Sequence, residues 1–175
     1  MNRNLHQPRN DSSSRAAAYA AADVALEDGG DEPAVGAHLV TQRRGYEHHG
    51  IYVGNGLVIH YAGFAKSAHR GPVEEVPLEQ FAAGHEVSVR PHPFPKYSSD
   101  ETVGRARSRL GENRYRLLTN NCEHFCMWCL LGESRSEQVH VCLTHPRAGV
   151  QALACLLTAF VGRRIGLGHW AADAV

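Results

Sequence analysis

The chain has 175 residues, 43% of them hydrophobic, and its 18 Lys and Arg residues are balanced by 18 Asp and Glu residues. This length and composition suit one compact domain with tails, and the balanced charge and absence of a base-stacking aromatic series exclude nucleic acid as the main partner. The five cysteines form no disulfide-like pattern, which is typical of a reducing compartment, so we expect a cytoplasmic protein.

The amino-terminal segment, residues 1–32, is polar, then alanine-rich and finally acidic, with few large apolar side chains to bury. It is therefore predicted to be a disordered or weakly helical tail. Residues 1–14 contain no apolar stretch, so we expect no secretory signal peptide there. A single domain over residues 33–148 is expected to follow.

This domain is predicted to be α+β, with a small antiparallel sheet packed against helices. Its predicted elements, in chain order, are a strand over 35–42, a hairpin over 48–61, a punctuated loop over 63–77, a short helix over 78–82, an alternating strand over 86–90, and helices over 100–110 and about 121–131. Arg105 and Arg109, four residues apart, are expected on a solvated face of the first long helix.

The hairpin carries His48 and His60 on its two arms, around an Asn-Gly pair at 55–56 that is a strong hairpin signal. A two-residue loop would put the two imidazole rings on opposite faces of the sheet. A three-residue loop over 54–56 would instead pair Gly50 with His60 and bring both rings to one face. We predict the three-residue loop.

The second motif is Asn-Asn-Cys-Glu-His-Phe over residues 120–125, ahead of an apolar stretch. Asn120 followed by Glu123 is typical of a helix start, so Cys122 is expected in a first helical turn. Free backbone N–H groups and the helix dipole favour a thiolate there, and we expect the pKa of Cys122 to lie below the roughly 8.5 of a free cysteine. Cys122 is therefore a candidate nucleophile, while Glu123 and His124 are expected to cap the helix and face solvent.

Taken together, the segment from Tyr46 to His60 and the later Asn-Cys-Glu-His-Phe motif resemble the lecithin retinol acyltransferase family, over about residues 34–131. The resemblance implies a circularly permuted papain-like fold of the NlpC superfamily. It implies Cys122 as the nucleophile, His48 as the general base and His60 as the residue that orients His48. One departure is His49, which stands where familiar members of the family carry tryptophan and bears on the substrate side of the site.

The resemblance also implies thiol-dependent acyl transfer from a glycerophospholipid through a cysteine thioester, with water, an amine or an alcohol as acceptor. Such an enzyme is a phospholipase A or an acyltransferase acting on a phospholipid or another acyl substrate, and we expect no cofactor and no metal. Two alternatives stay open. One is a cysteine peptidase or amidase of the NlpC type, which would use the same three residues, and the other is a non-catalytic module that binds zinc or a lipid surface.

The zinc alternative depends on two groups of soft ligands, which are Cys126 with Cys129, and His140 with Cys142 and His145. Two such groups could close a tetrahedral site. Cys126 and Cys129, however, share one helical stripe with Cys122, which is typical of a helix that faces the core. We therefore favour a packing role for the two later cysteines.

Residues 149–175 are predicted to form an apolar helix and a tail. The apolar run at 150–161 is shorter than the about 20 residues that a membrane span requires, so we expect no transmembrane helix there. Our first interpretation is a packing helix. The second is an interfacial helix that makes a peripheral membrane contact, with Arg163 and Arg164 at the lipid headgroups.

Overall fold

The computed structural model describes residues 23–26, 32–64 and 70–145. Most of the predicted amino-terminal tail and the whole predicted apolar helix at 150–161 lie outside these ranges. None of the helices within them is long and apolar enough to cross a bilayer.

In the described part of the chain, six strands form one antiparallel sheet in the order β1, β6, β2, β3, β4, β5. Their bounds are β1 Val24–Ala25, β2 His38–Arg43, β3 Tyr46–Gly54, β4 Leu57–Gly63, β5 Gly71–Pro77 and β6 Val87–Arg90. Helices pack against this sheet, so the predicted α+β class with a small antiparallel sheet is confirmed.

The helices carry the start and stop signals that their sequences predict. Their bounds are α1 Leu78–Ala82, α2 Ser99–Ser108, α3 Cys122–Leu131 and α4 Glu137–Thr144. Ser98 and Glu101 form a capping box at the start of α2, and the Ser136 hydroxyl accepts from the Val139 backbone N–H at the start of α4. Gly132 ends α3 with a φ of 74°, a conformation that favours glycine.

The sheet has two different faces, because side chains alternate along each strand. On one face, α3 packs against a buried cluster that includes Ile51 and Ile59. On the other face, Phe81 of α1 lies among Leu39 and Tyr52. We call these the α3 face and the α1 face.

Three elements differ from the sequence predictions. β5 occupies part of the predicted loop, because Gly71 and Pro72 suggest a turn although the backbone there pairs with β4. α4 was not predicted, since residues 137–144 were considered only as possible metal ligands. β1 lies inside the predicted tail, where the Asp23 carboxylate beside it pairs with Arg90 at 2.7 Å.

Arg105 and Arg109 do not lie on a solvated face, so that expectation is wrong. The Arg105 guanidinium carbon lies 4.1 Å from the ring centre of Tyr97 and 3.9 Å from that of Trp128. Arg109 pairs with Glu112 at 2.6 Å. The aromatic partners of Arg105 are distant in sequence, so helix periodicity alone could not reveal this packing.

Candidate active site

The hairpin of β3 and β4 brings His48 and His60 together, as the sequence predicted. Gly50 pairs with His60, and His48 Nε2 lies 2.8 Å from His60 Nδ1. The predicted three-residue loop is wrong, because Gly54 pairs with Leu57 and only two residues form the loop. The unpaired residue lies inside β3 instead, where the register shifts between Tyr52 and Gly54. The two loop residues, Asn55 and Gly56, have positive φ angles of 55° and 68°. A two-residue turn of this kind matches the twist of the strands, so the bulge forms in β3 and not in the loop.

Glu74 on β5 extends this histidine pair, and the sequence analysis missed it because β5 itself was missed. Glu74 lies directly opposite His60 in the sheet, and its Oε1 is 3.2 Å from His60 Nε2. The negative charge of the Glu74 carboxylate favours a proton on the nearby His60 Nε2, and in that tautomer His60 Nδ1 accepts from His48 Nε2. His48 is thereby left with a basic Nδ1.

His48 is also kept in its neutral form. Burial lowers its pKa well below the usual range, and the nearby His60 and Arg43 lower it further. A neutral imidazole with a fixed tautomer is the form that can take a proton as a general base.

Cys122 is the first residue of α3, so the predicted helix start is confirmed with a shift of one residue. Asn121, and not Asn120, is the N-cap, and its side chain accepts from the His124 backbone N–H at 3.0 Å. His124 therefore caps the helix as expected. Both Glu123 and His124 are buried, however, and not exposed to solvent.

The pKa of Cys122 is raised to about 12, which contradicts the prediction of a lowered value. Burial is the main cause, because only 3% of the residue is exposed. Backbone N–H groups of His49, Glu123 and Cys122 itself favour the thiolate, as the helix-start argument requires, but they do not outweigh desolvation. The resting protein therefore holds a protonated thiol.

The thiol and the histidine pair lie on different faces of the sheet. Cys122 belongs to the cluster of the α3 face, whereas the rings of His48 and His60 lie 5.3 and 5.7 Å from Phe81 on the α1 face. The Cys122 sulfur lies 4.0 Å from the carbonyl oxygen of Glu47, the residue before His48. No hydrogen bond joins Cys122 to His48 or His60 in this part of the structure.

A second histidine cluster, in which His38 and His49 are buried and His92 is half-buried, lies on the α3 face and was not predicted from the sequence. The Gln138 Oε1 accepts from the Glu47 backbone N–H at 2.9 Å, so the Gln138 amide nitrogen points to His49 Nε2, 2.8 Å away. His49 Nδ1 then donates to His38 Nε2 at 2.9 Å, and His38 Nδ1 donates to His92 Nε2 at 2.8 Å. We call these three residues the histidine chain.

The histidine chain is held neutral beside an ionised carboxylate. Burial is the main cause that lowers the pKa of His49, and likewise that of His92, to about 4. Glu123 accepts hydrogen bonds from the Ser136 hydroxyl and the Glu137 backbone N–H. Burial raises the pKa of Glu123, but nearby groups and these bonds outweigh it and the net pKa is lowered. In the sequence, only the alternation of side chains along two predicted strands indicated that His38 and His49 could lie on one face.

The ligands considered for zinc do not converge. Cys126 and Cys129 are fully buried in the core cluster of α3, where burial raises the pKa of both thiols. In the described ranges, no group of three or more His, Cys, Asp or Glu side chains is arranged to hold a metal ion.

A thiol at the first residue of a helix and neutral histidines on the neighbouring strands are the residue types that enzymes with covalent cysteine intermediates use. Comparison with known sequences narrows this class. The sequence model of the family "Lecithin retinol acyltransferase" matches residues 31–135, and the chain belongs to this family.

Several characterised relatives carry related names. The chain is 32% identical to human phospholipase A and acyltransferase 2, over 75% of this chain and 92% of that protein. It is 31% identical to human phospholipase A and acyltransferase 4, over 62% of this chain and 76% of the relative. Rat lecithin retinol acyltransferase is 28% identical over 57% of this chain and 55% of its own length.

Proposed function

We propose that this chain transfers an acyl group from a glycerophospholipid through a thioester on Cys122. The observation that carries the proposal is the family membership, together with a thiol at the first residue of α3. Relatives named phospholipase A and acyltransferase support a phospholipid as acyl donor.

In the proposed reaction, His48 Nδ1 takes the proton of the Cys122 thiol as the sulfur attacks the ester carbonyl carbon. The carbon–oxygen bond of the ester then breaks, and the imidazolium returns the proton to the departing lysophospholipid alcohol. Water, or an amine or alcohol, attacks the thioester in a second half-reaction and restores the thiol. His60 holds His48 in the required tautomer, and Glu74 supports His60 from β5.

The chain's own backbone supports the charge that develops on the carbonyl oxygen. The N–H of Cys122 stands at the first position of α3, where it has no acceptor within the helix. Such a donor is suited to an oxyanion.

The reaction requires the thiol and a base to meet when substrate binds, because the resting thiol is protonated and the His48 ring lies on the α1 face. Catalytic hydrogen bonds that are absent in a free enzyme often form only in the substrate complex. The family resemblance implies His48 as the base, and His49 is the neighbouring imidazole on the α3 face.

The proposal extends to location. Four free cysteines in the described ranges, Cys122, Cys126, Cys129 and Cys142, support a reducing cytoplasmic environment. We also propose that the apolar run at 150–161 rests on lipid as an interfacial helix, in keeping with a lipid substrate.

Intact mass spectrometry after brief incubation with a defined phosphatidylcholine tests the proposed function. We expect an added acyl mass on the wild type and on Cys142→Ala, the control at a half-buried thiol of α4, but not on Cys122→Ala. If folded wild-type protein gives neither an adduct nor released fatty acid, acyl transfer from phospholipid is wrong and the amidase alternative gains support.

Single-turnover acylation of His48→Gln and His49→Gln identifies the base. We expect the His48 variant to lose about 100-fold or more in acylation rate, since general base catalysis contributes that much, and the His49 variant to lose less. The reverse order would assign the base to His49 on the α3 face and leave the thioester chemistry intact.

A further inference from the structure

The turn that precedes α3 displays two leucines to solvent. The backbone N–H of Thr119 donates to the Arg116 carbonyl at 3.3 Å, and the N–H of Asn120 donates to the same oxygen at 2.8 Å. Leu117 and Leu118 occupy the tip, with exposed fractions of 40% and 56%. Turn tips usually carry Gly, Asn, Asp, Ser or Pro, so two adjacent leucines there need a reason. We call residues 116–119 the leucine turn.

The leucine turn is held firmly, so the exposure of its leucines does not come from a loose loop. The Asn121 side chain, which caps α3, donates to the Leu117 carbonyl at 2.9 Å. The Asn120 amide donates to the Arg114 carbonyl at 3.1 Å, and Arg109 donates to the Asn120 side-chain oxygen at 3.0 Å. The turn is therefore fixed to the start of α3 and, through Arg109, to the residue that ends α2.

The segment that leads into the turn is anchored in the core by one aromatic ring. Tyr115 is buried, and a Cβ at Gly63 would come within 2.4 Å of its ring. The residues on either side, Arg114 and Arg116, are both exposed. Consequently the chain presents an arginine, buries a tyrosine, and then presents an arginine and two leucines.

The charge of this surface is positive. Residues 113–119 include two arginines and no carboxylate, and the nearest acidic residue before them, Glu112, already pairs with Arg109. No ion pair engages Arg114 or Arg116 among the described residues. Apolar side chains flanked by cations are the composition that binds an anionic lipid surface, with leucines in the acyl region and arginines at the headgroups.

We propose that the leucine turn, with Arg114, docks this protein onto the surface of an anionic phospholipid bilayer. Asn121 joins the turn directly to Cys122, so docking presents the start of α3 to lipid. The inference rests on the proposed function for the identity of the acyl donor, but the docking itself needs no turnover and is measured on Cys122→Ala protein.

Tryptophan substitution tests where the protein meets the bilayer. Leu118→Trp is compared with Phe94→Trp, a control at another exposed apolar residue. Lys96, close to Phe94, donates to the Leu130 carbonyl at the far end of α3, so the control lies about 15 Å along the helix from the turn. The fluorescence of the two native tryptophans is subtracted.

With vesicles of phosphatidylcholine and phosphatidylglycerol, we expect a blue shift and quenching by brominated acyl chains for Leu118→Trp and not for Phe94→Trp. Quenching at neither position, whether or not the protein binds vesicles, overturns the proposal, as does equal quenching at both. Failure of acyl transfer alongside quenching at position 118 would reject the proposed function and keep the docking surface.

Neutralisation of the two arginines provides a second measurement. Arg114→Gln with Arg116→Gln should weaken binding to anionic vesicles about tenfold or more, since each cation near such a surface contributes about fivefold. Arg44→Gln with Arg107→Gln removes the same charge from exposed positions elsewhere and should weaken it much less. Equal losses would mean that net charge, and not this surface, drives binding, and would overturn the assignment of the arginines.

Discussion

Gly50, which pairs with His60 across the hairpin, leaves no room for a side chain on the α1 face. A Cβ at this position would lie 2.5 Å from Val58 Cγ1 and 2.9 Å from Phe81 Cε2. Phe81 also touches the rings of His48 and His60, so displacement of Phe81 would reach the site. Gly50→Ala should therefore destabilise the protein by about 1–3 kcal/mol, as overpacking of a core does.

Denaturant unfolding checks this prediction against a matched glycine. Gly104 lies inside α2 and a Cβ there would meet nothing within 4 Å. Gly104→Ala should raise the free energy of unfolding by up to about 1 kcal/mol, since alanine is the better helix former. If both variants change the free energy of unfolding in the same direction, overpacking at Gly50 is not the cause of the effect.

The protonated state of Cys122 makes a kinetic prediction. Because burial raises its pKa to about 12, its alkylation by iodoacetamide should be slower than that of a small free thiol at neutral pH. The rate should still be rising at the roughly 8.5 where a free cysteine is half ionised. A plateau near neutral pH, measured by mass spectrometry of the labelled peptide, would mean that the thiolate is already present.

At the scale of single residues, the sequence predicted position better than environment. It identified Cys122 at a helix start, which depends on local capping signals. It also predicted His48 and His60 on one face, but from a three-residue loop, whereas the structure reaches the same outcome through a bulge inside β3. It predicted the wrong direction for the pKa of Cys122. The thiol is buried because α3 packs on the sheet. The residues around position 122 in the sequence carry no information on that packing.

At the scale of elements, Arg105 fastens α2 to α3. Its guanidinium lies between the rings of Tyr97 and Trp128, and its Nε and Nη2 donate to the Trp128 carbonyl at 3.2 and 2.8 Å. Arg105→Lys keeps the charge but loses the planar stack and the paired donors, and should cost about 1–2 kcal/mol of stability.

Arg107→Lys, also on α2, is the control for this substitution. Arg107 is mostly exposed and meets Glu75 only at 3.8 Å, so its replacement should change stability by less than about 0.5 kcal/mol. Equal effects of the two substitutions on the denaturation midpoint would show that the aromatic sandwich is not stabilising.

Elements with strong local signals were predicted well, and those defined by tertiary pairing were not. The helix at Leu78–Ala82 was predicted with the observed bounds. β5 was missed because its Gly and Pro residues suggest a loop, while its strand character comes from pairing with β4. α4 was missed because its His and Cys residues drew attention to metal binding.

At the scale of the whole molecule, buried histidines should make the fold sensitive to acid. Among the described residues, burial is the main cause that lowers the pKa of five histidines in the folded state, which are His38, His48, His49, His92 and His124. The unfolded chain binds these protons at a pKa of about 6.5, so stability is fully present above that pH and is lost as the pH falls towards about 4.

Unfolding by denaturant at a series of pH values measures this loss. Each such imidazole contributes a slope of up to about 1.4 kcal/mol per pH unit, and the decline should begin near pH 6.5, above the range in which carboxylates titrate. His92→Asn removes one titrating group and should make the decline shallower. A stability that stays constant from about pH 6.5 down to about 4.5 would contradict the prediction.

The bulge inside β3 decides whether the side chains of His48 and His60 lie on the same face of the sheet. Whether two side chains of a hairpin share a face depends on whether the number of residues between them, measured along the paired strands, is odd or even. The unpaired residue in β3 changes that number by one and so reverses the outcome. While the loop stays at two residues, insertion of two residues into one strand between the pair and the turn keeps both rings on one face. Insertion of one residue into the strand would separate the two imidazoles, unless a second bulge or a loop longer by one residue restored the parity.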